Sequence, residues 1–189
     1  MVRAPLQVIG IFTRLLIGTK YMSKIGLFFG TQTGKTESIA EMIRDEFGAS
    51  EIDLHDMSQV SVSDFDGYTK LIIASPTWDI GELQSDWDGF FPEFDTMDFK
   101  GKTVAYFGTG DQLGYADNFM DAVGILEDKI SERGGKTIGY WPTDGYDFTE
   151  SKAVKDGKFI GLAIDEDNQS DLTDERVKAW VAQIKREFT

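Results

Sequence analysis

The residues best suited to chemistry are Thr31, Thr33, Gly34 and Thr36, in the run Gly30-Thr31-Gln32-Thr33-Gly34-Lys35-Thr36. Three hydroxyls, a glycine and a lysine in so short a span can bind a phosphate. The apolar residues Ile25, Leu27, Phe28 and Phe29 come before this run, in the pattern of a strand buried on both faces. After it come Ile39, Ile43 and Phe47, spaced to share one face of a helix. A strand, a polar turn and a helix N-terminus therefore meet here. The first N–H groups of a helix lack intrahelical partners, and the helix dipole favours an anion beside them.

Two other phosphate loops fail on spacing. The triphosphate loop GxxxxGK[ST] fits Gly34-Lys35-Thr36, but its first glycine would have to stand where Phe29 does. The dinucleotide pattern GxGxxG comes nearest at Gly108-Thr109-Gly110-Asp111-Gln112-Leu113-Gly114, with one residue too many before the last glycine. What remains is TxTGxT, which resembles the FMN phosphate loop of flavodoxins.

Composition narrows the chemistry further. The 189 residues suit one domain with a substantial core. The absence of cysteine removes disulfides, thiolate catalysis and cysteine metal sites together. The single histidine, His55, reads as a solvated strand-end residue, so neither a Ser-His-Asp triad nor a multi-histidine metal site is expected. The formal net charge of −14 argues against nucleic acid and anionic membranes as partners. Residues 1–21 carry Arg3, Arg14 and Lys20 and no acid, leaving 16 basic against 33 acidic side chains in the rest, a net −17. Such a body is steered toward basic partner surfaces. Residues 1–21 are too short and interrupted for a membrane span. They read as upstream sequence in preference to a targeting peptide, with Met22-Ser23-Lys24 as the natural start.

The elements that must position the loop follow in order. Strand patterns occur at 51–54, 68–74 and 102–107, and a fifth begins at 136–141, breaks, and resumes at 159–164. Phe119, Ala122, Val123, Leu126 and Ile130 share a helix face ending at Gly134-Gly135, and a final helix with Thr173 as N-cap carries Val177, Trp180, Val181, Ile184 and Phe188. Strands alternating with helices imply right-handed crossovers and one doubly wound α/β domain. Ligands of such sheets bind outside the carboxyl ends of the strands. Three loops converge there: 31–36, 75–82 and 109–118. Trp78 and Tyr115 stand on the second and third, able to sandwich a planar ring. Phosphate at one end and a flat ring at the other describe a mononucleotide, of which FMN is the richest redox example.

The segments TQTGKTES, SPTWDIGELQSDW, VAYFGTGDQLGYADNF, RGGKTIGYWPTDGYDF and DEDNQSDLTDERVKAWV resemble a long-chain flavodoxin of the cyanobacterial and algal type, from Ser23 to Phe188. The resemblance implies a flavodoxin-like α/β fold over residues 22–189: a doubly wound, five-stranded parallel sheet of order 2-1-3-4-5, its last strand interrupted by a long insertion after Trp141. It implies FMN as cofactor. Thr31, Gln32, Thr33, Gly34, Lys35 and Thr36 would hold the phosphate, and Trp78 and Tyr115 would cover the two ring faces. Thr77, Asp79, Ile80, Gly81, Thr109, Gly110, Asp111 and Asn118 would contact the ring edge and ribityl chain. Asp79 departs from the family's usual Asn or Gly; since the family's contact to flavin N5 is a backbone carbonyl, binding should survive and the potential move.

The implied function is low-potential one-electron transfer on the semiquinone/hydroquinone couple, replacing ferredoxin between photosystem I and ferredoxin-NADP reductase. A reduced anionic flavin beside Asp79, Glu82 and Asp111 would be electrostatically unfavourable, which lowers the potential. Glu82, Asp86, Asp88 and Asp147 would serve docking. The implied carrier is a monomer that turns over no substrate, in the cytoplasm, or the plastid stroma if residues 1–21 are a targeting segment. The alternative is an FMN-dependent NAD(P)H:quinone reductase on the same fold, against which Trp78 and Tyr115 speak, because a hydride donor needs one flavin face. A binding module for another phosphorylated ligand comes third. Residues 165–176 are no calcium loop, having Ser170 at position six and Arg176 at position twelve.

Overall fold

Five stretches of apolar, largely β-branched or aromatic sequence form the main strands: β1 (Ile25–Phe29), β2 (Ile52–Asp56), β3 (Lys70–Pro76), β4 (Thr103–Thr109) and β5 (Lys136–Ile138). The computed structural model describes residues 24–189, so the expectations for residues 1–21, and for a start at Met22, lie outside the described residues. The sheet has the order β2-β1-β3-β4-β5, all parallel, as the resemblance implied. Successive side chains leave a strand on opposite faces, and both faces are covered. Leu27, Phe29, Ile72, Ala74, Ala105 and Phe107 face α1 (Lys35–Phe47) and α4 (Thr173–Glu187). Phe28, Leu71, Ile73, Val104 and Tyr106 face α2 (Ser85–Phe90) and α3 (Asp121–Glu132).

The interrupted fifth strand is visible in the register. Residues 103–105 of β4 pair with β5, and residues 107–109 pair with a later strand, Leu162–Ile164. Between these halves the insertion forms a small antiparallel sheet: β6 (Trp141–Pro142), β7 (Val154–Lys155) and β8 (Lys158–Phe159), in the order β6-β8-β7. The strand Leu162–Ile164 is therefore β9. Trp141 and Phe159, expected within the fifth strand, belong to this second sheet. The rings of Phe119, Tyr146, Phe148 and Phe159, with centroids 5.1–5.8 Å apart, pack the insertion onto the front of α3.

Two local expectations are corrected. Thr173 is the first residue of α4, not its N-cap; Leu172 holds that place, and the Thr173 hydroxyl bonds Glu166 instead. His55 is no solvated strand end. It stands opposite Phe28 in the β1–β2 register, so its imidazole stacks on that ring with centroids 4.5 Å apart, and it lies 2.9 Å from the hydroxyl of Tyr68, which donates to Asp53 at 3.0 Å.

Candidate functional site

The carboxyl ends of β1, β3 and β4 open into one cleft of about 350 Å³, lined by Thr33, Lys35, Pro76, Thr77, Trp78, Asp79, Thr109, Gly110, Asp111, Tyr115, Glu166 and Asp167. That volume lies in the range of about 300–1,000 Å³ that holds small ligands.

At one end stands the start of α1. Gly34 precedes the helix with φ 81°, a left-handed value natural to glycine, and a Cβ there would meet open space. The Thr31 hydroxyl accepts the Gly34 N–H at 3.1 Å, and the first helical bond runs from Ser38 N–H to the Gly34 carbonyl. Lys35, Thr36 and Glu37 consequently have N–H groups with no intrahelical acceptor. Thr36 is buried, its hydroxyl 3.1 Å from that of Thr109, which joins the first loop to the third. Behind them the fully buried Gln84 donates to the Thr31 carbonyl at 3.4 Å and fills the space beside Gly30, where a Cβ would lie 2.2 Å from its Oε1.

The second loop is a tight hairpin. Trp78 N–H donates to the Glu82 carbonyl at 3.0 Å and Glu82 N–H to the Trp78 carbonyl at 2.7 Å, leaving Asp79, Ile80 and Gly81 at the tip. Asp79 has φ 44° and Gly81 φ 82°. Aspartate enters this region more readily than most residues, so Asp79 keeps the turn that Asn or Gly would make. Trp78 Nε1 is buried and has no hydrogen-bond partner among the described residues.

Asp111 shapes the third loop. Its carboxylate accepts N–H bonds from Gly114 at 2.8 Å and Leu113 at 3.0 Å and a side-chain bond from Asn168 at 2.8 Å; the Gly114 bond above all holds its pKa below the usual carboxylate range. Tyr115 projects from this loop, about half exposed. Beneath it the buried Asp165 receives Gln112 and Asn168 through both backbone and side chain, and the Asp167 N–H, at 2.8–3.1 Å. These donors occupy its lone pairs.

Nine of the expected residues line this cleft: Thr33, Lys35, Thr77, Trp78, Asp79, Thr109, Gly110, Asp111 and Tyr115. Thr31, Gly34 and Thr36 shape its helix end. Gln32, Ile80 and Gly81 line a neighbouring cleft that shares Trp78 and Asp79. Asn118 turns away to donate to Asp121 at 3.2 Å. Sequence reasoning missed Pro76, Glu166, Asp167 and the supporting Gln84. The first signal for Glu166 and Asp167 was available: they follow the resumed fifth strand, whose carboxyl end shares the same sheet edge.

A family model described as Flavodoxin matches residues 27–180. The chain is 71% identical over 165 residues to a flavodoxin of Nostoc sp., covering 87% of this chain and 97% of that one. It is 66% identical over 165 residues to a flavodoxin of Synechocystis sp., with the same coverage. A crystal structure of Fusobacterium nucleatum flavodoxin bound to flavin mononucleotide matches at a TM-score of 0.85 and 33% identity, over 89% of this chain and 100% of that one.

Proposed function

This chain belongs to the flavodoxin family and is an FMN-based electron carrier; we propose that it holds the cofactor in the cleft at the ends of β1, β3 and β4. The observation that carries this assignment is the pairing of a bare helix N-terminus with two large rings in one cleft. The free N–H groups of residues 35–37, the Thr33 hydroxyl and Lys35 suit a phosphate. Trp78 and Tyr115 suit the two faces of a flat ring. Trp78 also carries a buried indole N–H with no partner among the described residues. Bound FMN supplies a centre that takes up and releases one electron at a time.

The protein's own groups set how readily it does so. Asp79, Glu82 and Asp111 lie at or beside the cleft in a chain of formal charge −14, and a field of that sign opposes added negative charge. The result is a low-potential donor. Thr109, Gly110 and Thr77 line the cleft and suit a ribityl chain, and the tip at Asp79–Ile80 would offer backbone groups to the ring edge. Gln32, Gly81 and Asn118 act one layer out, by keeping the loops in shape.

The partners we propose are photosystem I as donor and ferredoxin-NADP reductase as acceptor, approached through the cleft side. Ile80 and Leu113 are largely exposed there and offer apolar contact within an acidic surround that includes Glu82 and Asp88. We place the carrier in the cytoplasm, acting as a monomer. No helix among the described residues is long and apolar enough to cross a membrane.

An anaerobic reductive titration followed by visible absorption tests the function. Two resolved one-electron stages, with NADPH alone reducing the flavin negligibly, are expected. Direct two-electron bleaching by NAD(P)H would move the chain to the quinone reductases, and a colourless protein that takes up no FMN would overturn the assignment of the cleft.

A further inference from the structure

We propose that Asp121 and Lys152 form a charge pair beneath the Asp79–Gly81 tip that sets the cofactor's potential, with Lys152 supplied by the insertion. This rests on the FMN reading above.

Asp121 opens α3 and is almost wholly buried, with a side chain 1% exposed. Its Oδ1 accepts the Lys152 backbone N–H at 2.7 Å, and its Oδ2 lies 3.2 Å from both the Lys152 ammonium and Asn118 Nδ2. The hairpin tip sits on this carboxylate. A Cβ built on Gly81 would lie 2.5 Å from Asp121 Oδ2 and 2.9 Å from Asn118 Nδ2, so the backbone at the tip touches a buried charge directly. Gly81 is two residues from Asp79 and three from Trp78, both of which line the cofactor cleft. The adjoining Ala122 N–H donates to the Thr77 hydroxyl at 3.2 Å, a second tie between the start of α3 and this loop.

Lys152 is not a chance neighbour. The insertion runs along α3 in register with its turns: Lys152 meets Asp121, and the Lys152–Ala153 peptide lies on Gly124, where a Cβ would be 2.5 Å from the Lys152 carbonyl carbon. Lys155 then pairs with Glu127 and Asp128 one turn further on. Lys152 also lines the cleft that holds Trp78, Asp79, Ile80 and Gly81. The insertion thus delivers one cation to the back of the hairpin.

The two charges act with opposite sign on a cofactor that becomes more negative when reduced. A buried carboxylate is poorly screened and resists that change; its half-exposed ammonium partner favours it and is weaker through screening. Removing the ammonium leaves the carboxylate buried and uncompensated. Asp121 and Lys152 are positioning residues: they act through the tip and touch no cofactor atom in this assignment.

The test compares Asp121→Asn, Lys152→Met, Lys152→Arg and the double variant, all loaded with FMN, by midpoint potentials of both one-electron steps and by FMN dissociation constant. Lys152→Met should shift the lower potential more negative and Asp121→Asn should shift it more positive. The double variant should return toward wild type, and Lys152→Arg should keep the wild-type value. A purely structural role predicts loss of affinity without opposed shifts, and shifts of one sign or none overturn the proposal. If Asp121→Asn does not fold, Lys152→Met and Lys152→Arg still decide it, since the first must move the potential down and the second must not. A wild-type protein without two one-electron stages sinks the FMN reading itself; a normal wild type with unshifted variants sinks only this inference.

Discussion

Lys35 Nζ lies 2.6 Å from Asp167 Oδ1, linking the start of α1 to the loop after β9 where both line the cleft proposed for the cofactor. Both side chains are about half exposed, so the pair contributes little to stability, on the order of 0–1 kcal/mol. Its importance is competition, because the lysine that would meet a phosphate already has a carboxylate partner. Lys35→Met should weaken FMN binding roughly tenfold, about 1.4 kcal/mol, while Asp167→Asn should tighten it. Quenching of flavin fluorescence on titration with apoprotein reads both. Equal affinity in wild type and Lys35→Met would remove the lysine from the phosphate end.

The two rings carry the other end. Trp78→Ala and Tyr115→Ala should each weaken FMN binding by at least roughly tenfold, since stacking adds about 0.5–1.5 kcal/mol beyond the area buried. The potentials should move as well, because an opened face admits water beside the ring. Unchanged affinity and potentials in both variants would mean that the ring does not lie between them.

Much of this site could be read from residue order because its parts are local. A strand, TxTGxT and an apolar helix face are contiguous in sequence, and parallel sheets put such loops at one edge. The pairings that finish the site are not local. Gln84 supports Thr31 from 53 residues away and Lys35 reaches Asp167 across 132, distances at which periodicity says nothing. His55 shows the same limit: its strand was legible, but the ring that stacks on it, Phe28, comes from the neighbouring strand 27 residues away, and its hydroxyl partner Tyr68 from the irregular segment after β2. The extra sheet of the insertion was hidden because its strands are two residues long, too short for any alternation to appear.

His55, the chain's one histidine, reports on its packing against Phe28 and Tyr68. Burial holds its pKa below the ordinary 6.5, against the pull of Asp53 and Asp64. The folded state therefore holds fewer protons than the unfolded chain between the folded value and 6.5. This contribution to stability is fully present above 6.5 and is lost as pH falls toward the folded value. The imidazole resonances should titrate with a midpoint below 6.5, and the stability difference between wild type and His55→Asn should shrink on acidification. A midpoint at or above 6.5 would show that the stack on Phe28 does not desolvate the ring.

Charge steering makes a kinetic prediction. At subsaturating concentrations, the rate of electron transfer to a basic redox partner should fall as ionic strength rises, since the screening length shortens to about 8 Å near 0.15 M salt. Replacing Glu82 and Asp88 with glutamine and asparagine should flatten that dependence. A rate that never falls with salt would leave the acidic surface with solvation as its only role.

The join between the two halves of the fifth strand depends on Gly161. A Cβ there would lie 2.0 Å from the Tyr106 carbonyl oxygen and 2.6 Å from its carbon, both backbone atoms of the interior strand β4, so nothing nearby can swing aside. Gly161→Ala must push β9 away from β4, and β9 leads into the loop carrying Asp165, Glu166 and Asp167. Overpacking of this kind costs about 1–3 kcal/mol, and urea denaturation of the apoprotein should show a loss near the top of that range, together with weaker FMN binding. Gly67→Ala is the control: a Cβ there meets nothing within 4 Å, and its φ lies outside the left-handed region. It should change stability by less than about 1 kcal/mol. Equal stability of the two variants would mean that the chain crosses from the insertion back to the sheet less closely than it does here.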